Sequence, residues 1–346
     1  MPIILGDCVD ELNKLEENSI DSIVTDPPYG LKFMGKEFDD LGVGAAQREW
    51  HKAWAAEALR VLKPGGYLLA FGGSRTYHHL ASAIEEVGFE VRDQIMWIYG
   101  SGFPKSSNVS KQIDKAAGAD REVLGIAKGV GDYDGGRKIY EGGKWQSNYE
   151  VTGSATDEAK QWDGWGTALK PAHEPIVMAR KPFKGAAYKN VLEHGTGALN
   201  IDDCRIGENA GWSYPNGAGG SEPNHMQRGE KKGNANAPVK ATKGRWPSNV
   251  IMDEFISSEL EKSKFFYCAK PSKKEKGSEN NHPTVKPIEL ISYLQRLVTP
   301  PQGITLDPFL GSGTAAIAAS LEDFEFIGIE KDKDYYDIAI SRIEMS

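Results

Sequence analysis

Two short stretches of the chain carry residue types that could do chemistry, and the first is Asp26-Pro27-Pro28-Tyr29. It follows an apolar, β-branched strand predicted over residues 21–25. An ordinary turn rarely combines an acid, two prolines and an aromatic ring. Each proline fixes its own φ, biases the preceding residue toward an extended form and removes an N–H donor. The stretch therefore predicts a rigid corner that holds one carboxylate and one aromatic ring for a ligand.

The second stretch is LDPFLGSGTAAIAA, residues 306–319. A predicted strand ends at Asp307, a glycine-rich turn follows, and a helix of small residues begins at Thr314. In this arrangement the backbone approaches a nucleotide closely and helix N–H groups point at it. The turn lacks both the G-x-G-x-x-G pattern and the G-K-[ST] ending, which disfavours dinucleotides and triphosphates. Glu330 ends the next strand, where a carboxylate takes two ribose hydroxyls, so a nucleoside without phosphates is the better ligand.

Together the two stretches resemble the S-adenosylmethionine-dependent amino-group DNA methyltransferases. The acid-proline-proline-tyrosine corner comes first and the glycine turn comes near the C-terminus, an order similar to the β class, whose sheet is circularly permuted. Further matches to the family pattern are Gly6-Asp7-Cys8, LKPGG at residues 62–66, Phe71-Gly72-Gly73 and NHPTVKP at residues 281–287. The resemblance covers residues 1–100, 171–183 and 281–346.

The resemblance implies S-adenosylmethionine as the cofactor and no metal. It makes Asp26, Pro27, Pro28 and Tyr29 the catalytic residues. The residues that it implies for cofactor binding are Asp7, Cys8, Thr284, Lys286, Asp307, Pro308, Phe309, Gly311, Ser312, Gly313, Thr314 and Glu330. Within this set, Gly6-Asp7-Cys8 resembles the adenine contact, and residues 281–287 resemble the element beside the methionine end of the cofactor.

The corner suits methylation of an exocyclic amine. The N6 amine of adenine is a poor nucleophile because its lone pair is conjugated into the ring. The Asp26 carboxylate and a backbone carbonyl, that of Pro27, would accept from its two N–H groups and aim the lone pair outward. Tyr29 would stack on the base, a contact worth about 1–3 kcal/mol in comparable sites. A carboxylate is too weak to deprotonate the neutral amine first, but it can accept the proton after transfer. The base must leave the duplex to reach such a site, and positioning is then the main contribution to rate.

Strands and helices alternate over residues 1–100 and again over residues 281–346, which predicts an α/β sheet covered on both faces. The predicted fold is a permuted Rossmann-like methyltransferase sheet, mostly parallel with one antiparallel strand, interrupted by two loop-rich insertions. Residues 1–100 would form the catalytic half, 171–183 a further strand of the sheet, and 281–346 the cofactor-binding half. In the family's sheet the strands that end at Asp26 and Asp307 are neighbours, at the switch point where ligands bind.

The two insertions are residues 101–170 and 184–280, and charge distinguishes them. The chain has 346 residues and a net charge of −8, which alone disfavours nucleic-acid binding. Residues 180–276, however, hold 17 Lys/Arg against 11 Asp/Glu. We therefore predict residues 184–280 as the target-recognition region, with residues 101–170 or a merely solvated segment as alternatives. The predicted phosphate contacts are Arg228, Lys231, Lys232, Lys240, Lys243 and Arg245.

The leading hypothesis is an adenine-N6 DNA methyltransferase that acts on double-stranded DNA. Cytosine-N4 transfer is the nearest alternative, but the family tends to begin the N4 motif with Ser, and this chain has Asp26. RNA or protein-glutamine methyltransfer fits less well, since the latter typically uses Asn at this position. A non-catalytic DNA-binding protein that retains the cofactor is an alternative of a different class. The resemblance also allows a homodimer and a cognate restriction endonuclease.

The remaining composition bounds the location of the protein. The cysteines, Cys8, Cys204 and Cys268, lie far apart and in no metal-binding spacing, which is typical of a reducing compartment. No apolar run approaches the length of about 18 residues that a membrane span needs, and the N-terminus lacks the features of a signal peptide. The sequence therefore predicts a cytoplasmic protein with no membrane partner.

Overall fold

Strands and helices alternate at both ends of the chain in the computed structural model, as the sequence predicts. The structure describes residues 2–31, 37–100, 106–128, 139–141, 144–146, 148–207, 212–213, 239–240, 244–253, 266–276, 280, 282 and 284–346. The chain divides into unit 1, Met1–Gly100 with His173–Ser346, and unit 2, Ser101–Ala172. Every helix within the described residues is too short or too polar to cross a membrane.

Both units contain helices and strands. The strands are β1 (Ile3–Leu5), β2 (Ile20–Thr25), β3 (Leu62–Phe71), β4 (Glu90–Ile98), β5 (Val123–Lys128), β6 (Ile139–Glu141), β7 (Lys144–Gln146), β8 (Asn148–Thr152), β9 (His173–Arg180), β10 (Trp212–Ser213), β11 (Val239–Lys240), β12 (Val250–Met252), β13 (Phe266–Tyr267), β14 (Ile304–Asp307) and β15 (Glu325–Glu330). The helices are α1 (Cys8–Leu12), α2 (Ala45–Val61), α3 (Tyr77–Glu86), α4 (Val109–Ala117), α5 (Asp157–Gln161), α6 (Ala187–His194), α7 (Lys273–Lys276), α8 (Ile288–Val298), α9 (Thr314–Leu321) and α10 (Lys333–Met345).

Within the described residues of unit 1, β10 and β11 form a two-stranded sheet. The main sheet of unit 1 has the strand order β1-β15-β14-β2-β3-β9-β4-β12-β13. All of its pairings are parallel except those of β9, which runs antiparallel to both β3 and β4. The predicted mixed sheet with one antiparallel strand is confirmed.

The sheet changes direction between β14 and β2. The connection from β14 through α9 leads to β15 on one side, and that from β2 through α2 leads to β3 on the other. The two central strands pair directly, with Thr305 opposite Ser22 and Leu306 opposite Ile23. The predicted adjacency of β2 and β14 is therefore confirmed, and their carboxyl ends border the crevice where ligands bind in such sheets.

The sheet is covered on both faces, so its central strands are apolar throughout rather than alternating. In β3, Leu69 and Phe71 join one core cluster while Leu68 and Ala70 join the other. Every residue of β2 is buried. This double burial fixes the positions of the strand ends from which the site is built.

The start of β3 differs from the prediction. The breaker at residues 63–66 predicts a strand only from Tyr67, but β3 begins at Leu62 and contains a bulge. Ile20 pairs with Leu62, whereas Ser22, only two residues later, pairs with Tyr67. Gly65 has a φ of +84°, and a Cβ there would lie 2.4 Å from the side-chain nitrogen of Asn190. Gly65 thus permits a β-bulge, and β3 continues beyond it.

Other element bounds agree more closely. The predicted bounds of β14, α9 and β15 match the structure residue for residue. Helix α2 begins at Ala45, whereas the sequence predicts it only from Trp50. The first turn was missed because its buried residue is the polar Gln47, which gives no apolar periodicity. Strand β4 begins at Glu90, whereas the sequence predicts it only from Gln94. The start of β4 was missed because the first half of the strand is largely exposed and polar.

Unit 2 contains elements that the sequence did not predict in its glycine-rich segment. Strands β5 and β8 pair antiparallel, and β6 and β7 form a second short pair. The carboxylate of Asp114, at 0 % exposure, accepts from Arg121 Nη1 at 2.6 Å and from the Thr156 N–H at 2.9 Å. A buried ion pair with several further hydrogen bonds therefore organises this small unit.

Candidate active site

The two stretches singled out from the sequence meet at the carboxyl ends of β2 and β14. Thr25, the last residue of β2, donates its hydroxyl to Asp307 Oδ1 over 2.6 Å, and both residues are buried. Asp26 follows Thr25 directly, and the glycine turn follows Asp307. One hydrogen bond thus joins segments that lie more than 280 residues apart in the chain.

The corner after β2 is held by partners outside its motif. The Asp39 carboxylate accepts the N–H groups of Gly30 at 2.8 Å and Leu31 at 3.0 Å. Gln47 on α2 donates to the Tyr29 carbonyl over 2.7 Å. These contacts satisfy the backbone that follows the two prolines and keep the corner rigid. No motif in the sequence identifies Asp39 or Gln47 as part of the site.

Asp26 belongs to a cluster of four polar side chains, Asp26, Tyr29, Glu174 and Lys286, which we call the Asp26 cluster. Tyr29 donates its hydroxyl to Asp26 Oδ1 at 2.8 Å, and Lys286 Nζ donates to Asp26 Oδ2 at 2.5 Å. Glu174 Oε2 lies 3.1 Å from the Tyr29 hydroxyl and 3.3 Å from Lys286 Nζ. The cluster contains two carboxylates and a single ammonium, so it carries a net negative charge when all three are ionised.

Burial and neighbouring charge set the protonation of the Asp26 cluster. Burial raises the pKa of Asp26, and the nearby Lys286 opposes that shift. Burial alone would lower the pKa of Lys286, but the carboxylates of Asp26 and Glu174 outweigh it and raise that pKa. Glu174 keeps a lowered pKa in spite of burial, because Lys286 and Lys270 lie near it. Burial also raises the pKa of Tyr29, so its hydroxyl stays a neutral donor.

The cofactor-type turn after β14 is fixed by glycine geometry and by the last helix. Gly311 and Gly313 have φ values of +54° and +87°. A Cβ at Gly313 would lie 3.0 Å from the Cβ of Ala339 on α10. Arg342, also on α10, donates to the Ser312 carbonyl at 2.5 Å and to its hydroxyl at 2.9 Å. Arg342 is a positioning residue that the sequence analysis missed.

The acid that opens this turn is electrostatically unusual. Burial raises the pKa of Asp307 to about 7, although it accepts from Thr25 and from the Phe309 N–H. The Phe309 ring packs against α2, with its centroid 5.7 Å from that of Trp50 and 5.4 Å from that of Trp54. Asp307 therefore titrates near neutral pH, and Phe309 anchors the turn to α2.

Glu330 and Asp7 lie side by side where β15 and β1 end. Glu330 accepts the N–H of Gly311 at 2.7 Å and that of Asp332 at 2.7 Å. Leu5 pairs with Glu330, and the Gly6 N–H donates to the Glu330 carbonyl at 2.9 Å. Asp7 caps α1 through the Val9 N–H at 3.0 Å. The Glu330 carboxylate thus borders the glycine turn, and Asp7 follows the neighbouring strand two residues beyond the residue that pairs with Glu330.

Two further predicted cofactor residues, Thr284 and Lys286, lie in the segment just before α8. Thr284 is exposed, and its N–H lies 3.4 Å from His282 Nδ1. Lys286 is 7 % exposed, and its ammonium contacts Asp26 in the corner after β2. Cys8, which belongs to the predicted adenine contact Gly6-Asp7-Cys8, is buried, and burial raises the pKa of its thiol to about 12.

The predicted DNA contacts lie largely outside the described residues. This applies to Arg228, Lys231, Lys232 and Lys243. Lys240 lies in β11, and the backbone of Arg245 pairs with that of Ile206 through hydrogen bonds of 2.9 and 3.0 Å. Beside it, the ring of Trp246 is 64 % exposed, with the Arg205 guanidinium 5.3 Å from its centroid.

Glu174 is a further site residue that the sequence analysis overlooked. It begins the apolar run EPIVMA, which predicts a strand at residues 174–179. The structure makes it the second residue of β9 and places its carboxylate in the Asp26 cluster. A lone acid at the start of a buried strand was the available signal, but its partners Tyr29 and Lys286 come from the corner after β2 and from the segment before α8.

Comparison with known proteins agrees with this geometry. The model of the N6_N4_Mtase family, described as DNA methylase, matches residues 20–341. Type II methyltransferase M.HindIII from Haemophilus influenzae is 26 % identical over 377 residues, covering 98 % of this chain and 93 % of the relative. Type II methyltransferase M.HpaI from Haemophilus parainfluenzae is 24 % identical over 344 residues, covering 99 % of this chain and 74 % of the relative. The solved structure of the PvuII DNA methyltransferase (cytosine-N4-specific) has a TM-score of 0.50 and 16 % identity, covers 99 % of this chain and 85 % of that chain, and shares the fold.

Proposed function

Because the chain belongs to the N6_N4_Mtase family of DNA methylases, we propose that it methylates the exocyclic N6 amine of adenine in double-stranded DNA, with S-adenosylmethionine as the methyl donor. The observation that carries the proposal is the 2.6 Å hydrogen bond from Thr25 to Asp307. It brings the acidic corner and the glycine turn to one edge of the sheet. An acceptor base and a nucleoside cofactor need to meet across one such crevice.

The residues at the glycine turn fit a nucleoside. Gly311 has no side chain to fill the space beside His282, where a Cβ would lie 3.0 Å from the imidazole. The Glu330 carboxylate accepts one N–H on each oxygen, so each oxygen retains a lone pair for a ribose hydroxyl. We assign Glu330, Asp7 and the turn at Gly311–Gly313 to cofactor binding. When bound, S-adenosylmethionine supplies an activated methyl group on a sulfonium.

Asp26 is the group that we assign to the target amine. It accepts one amine N–H, and the Pro27 carbonyl accepts the other, so that the nitrogen lone pair points away from both. The two prolines hold these acceptors in place without competing donors. Tyr29 provides a ring face on which the flipped base stacks.

The charge of the Asp26 cluster suits the developing product. Methylation makes the amine nitrogen positive, and the net negative cluster stabilises that charge at short range. Asp26 then accepts the proton, which its burial-raised pKa favours. Lys286 remains charged throughout and holds the carboxylate in position.

Adenine is favoured over cytosine by one residue. The family tends to begin the cytosine-N4 motif with Ser, and this chain has Asp26. The similarity to the cytosine-N4-specific PvuII enzyme concerns the fold alone. We further propose that residues 184–280 read the target sequence, that the protein forms a homodimer, and that it works beside a cognate endonuclease, since both type II relatives carry that class name.

The test is methyl transfer with identification of the product. Purified protein is incubated with tritiated S-adenosylmethionine and unmethylated genomic DNA, and the hydrolysed nucleosides are analysed by mass spectrometry. We expect N6-methyldeoxyadenosine from the natural protein and none from Asp26→Ala. N4-methyldeoxycytidine would move the target to cytosine. Binding of cofactor and DNA without any transfer would instead support the non-catalytic alternative.

A further inference from the structure

Glu174 lies within residues 171–183, which the family resemblance covers but in which it assigns no site residue, yet Glu174 contacts the centre of the site. Its side chain is 18 % exposed. Oε2 lies 3.1 Å from the Tyr29 hydroxyl and 3.3 Å from Lys286 Nζ, and Oε1 accepts from the Tyr99 hydroxyl at 3.3 Å. Both oxygens therefore engage groups of the site or of its wall.

The contacts of Asp26 raise a difficulty that Glu174 resolves. Asp26 Oδ1 accepts from Tyr29 at 2.8 Å and Oδ2 accepts from Lys286 at 2.5 Å. Each oxygen keeps a second lone pair, but a target amine that uses it must share its acceptor with Tyr29 or Lys286, which weakens and misaims the contact. The Tyr29 hydroxyl has a single hydrogen, and two carboxylate oxygens lie within its reach, Asp26 Oδ1 and Glu174 Oε2. Moving that hydrogen bond to Glu174 frees Oδ1 without leaving a buried donor unpaired.

We propose that Glu174 is a positioning residue that takes the Tyr29 hydroxyl and part of the Lys286 ammonium when the target amine enters, leaving Asp26 Oδ1 to accept from the amine alone. This inference rests on the proposed function of Asp26. The step is a change of hydrogen-bond partner, with no proton leaving Tyr29 and no bond broken.

The charged and titratable groups around Asp26 come from four segments. Lys286 precedes α8, Glu174 belongs to β9, Tyr29 to the corner itself, and Asp307 to β14. Glu174 raises the pKa of Asp26 and Lys286 lowers it. Removing the two charges must therefore shift the titration of Asp26 in opposite directions.

Lys270 explains why Glu174 can hold its own charge. Burial raises the pKa of Glu174, but Lys286 and Lys270 together outweigh burial and lower it. The Lys270 ammonium lies 3.7 Å from the centroid of the Tyr99 ring, whose hydroxyl contacts Glu174. Two described cations, Lys286 and Lys270, thus lower the pKa of Glu174 by charge, whereas Lys286 is the leading described cation that lowers the pKa of Asp26.

The backbone of β9 does not depend on the Glu174 side chain. Its residues pair with β4 over the whole strand, with Glu174 opposite Trp97. Glu174→Gln keeps the shape and one acceptor oxygen, so it removes the charge while leaving the fold intact. Glu174→Ala removes both the charge and the acceptor.

The first test measures Asp26 itself, without cofactor or DNA. Selective carboxyl ¹³C labelling of aspartate, with the signal assigned by its loss in Asp26→Asn, gives the pKa of Asp26 by NMR. We expect a lower pKa in Glu174→Gln and a higher one in Lys286→Met, with Glu174→Gln decisive if the lysine variant does not fold. An unchanged or raised pKa in Glu174→Gln overturns the proposal. This readout stands even if the natural protein transfers no methyl group, in which case only the proposed function fails.

The second test is a double-mutant cycle on single-turnover methyl transfer to unmethylated genomic DNA. Glu174→Ala should slow transfer roughly 10- to 100-fold, the scale of a misplaced catalytic group. In a Tyr29→Phe background no hydroxyl competes for Asp26, so the same change should cost only a few-fold. Glu174→Gln should recover part of the rate and shift the acid limb of the pH profile to lower pH. Equal losses in both backgrounds, as a merely structural role would give, contradict the proposal.

Discussion

Replacing Thr25 by Val removes a side-chain hydrogen bond that directly joins the two corners of the site. The substitution keeps the branched shape of a fully buried side chain and deletes only the hydroxyl that Asp307 Oδ1 accepts at 2.6 Å. Asp307 would then keep the Phe309 N–H as its donor. The variant should fold, lose stability and bind S-adenosylmethionine more weakly, because the glycine turn starts at Asp307.

The magnitude depends on the charge of Asp307. Burial raises its pKa to about 7, so at pH 5.5 it is protonated and at pH 8.5 it is ionised. A hydrogen bond to a neutral group contributes about 1 kcal/mol and one to a charged group about 1.5–3 kcal/mol. Loss of the Thr25 donor also raises the Asp307 pKa further. The stability lost in Thr25→Val should therefore be about 1 kcal/mol at pH 5.5 and about 2–3 kcal/mol at pH 8.5.

The sign follows from linkage. A carboxyl whose folded pKa lies above its unfolded value favours the folded state in acid, and that advantage fades as pH rises through the folded pKa. Because Thr25→Val widens this gap, the difference between the variant and the natural protein must grow with pH. Urea unfolding at both pH values measures it directly.

Thr305 provides a matched control on the neighbouring strand. It is also fully buried, on β14 opposite Ser22, but its hydroxyl has no hydrogen-bond partner among the described residues. Thr305→Val should be neutral or raise stability by about 1 kcal/mol at both pH values, because an unpaired buried hydroxyl is removed. Equal losses for the two variants, or a Thr25→Val loss that shrinks as pH rises, would refute this account of the joint.

Three further outcomes follow from the structure. Gly313→Ala should lower the cofactor affinity measured by calorimetry more than 10-fold, because φ is +87° and the new Cβ would lie 3.0 Å from Ala339. Gly195→Ala is the control, since φ is +76° there and no atom lies near the new Cβ. It should lower stability by about 1–2 kcal/mol, the cost of the left-handed backbone, and leave cofactor affinity unchanged. Replacing Lys231, Lys232, Lys240 and Lys243 together by Gln should weaken DNA binding and flatten its dependence on salt, by up to about 0.9 in the log–log slope per lost phosphate contact, and an unchanged slope would move recognition to residues 101–170. Arg342→Met should loosen the Ser312 turn and reduce cofactor affinity, while a comparable change at Lys333, whose exposed partner Asp337 lies on the same helix, should not.

Much of the fold could be predicted because local signals and the tertiary structure agree. At the C-terminal end, glycines and prolines punctuate short apolar runs, and β14, α9 and β15 have the predicted bounds. At Leu62 the signals disagree, since the breaker at residues 63–66 is a bulge that pairing with β2 carries within the strand. Helix α2 begins before its apolar pattern does, because Gln47 is buried through its bond to the corner rather than through hydrophobicity.

The candidate site was predictable as a set of motifs but not as a set of contacts. The corner at Asp26 and the turn at Gly311 can each be recognised in the sequence from their residue types. Lys286 was predicted to bind the cofactor, but in the structure its ammonium contacts Asp26. A motif shows that a residue belongs to the site, but not which side chain it contacts there. Glu174 and Arg342 act through residues that only the folded sheet brings near, and no spacing in the sequence connects them to the site.

If the Asp26 corner and the Gly311–Gly313 turn line one crevice, a crystal structure with sinefungin, an unreactive analogue of S-adenosylmethionine, will show this arrangement. We expect it to place the ribose hydroxyls of the analogue on Glu330, its adenosine over the glycine turn, and the amine that replaces the methyl group toward Asp26. An analogue bound away from the turn, or one whose amine faces away from Asp26, would contradict this arrangement.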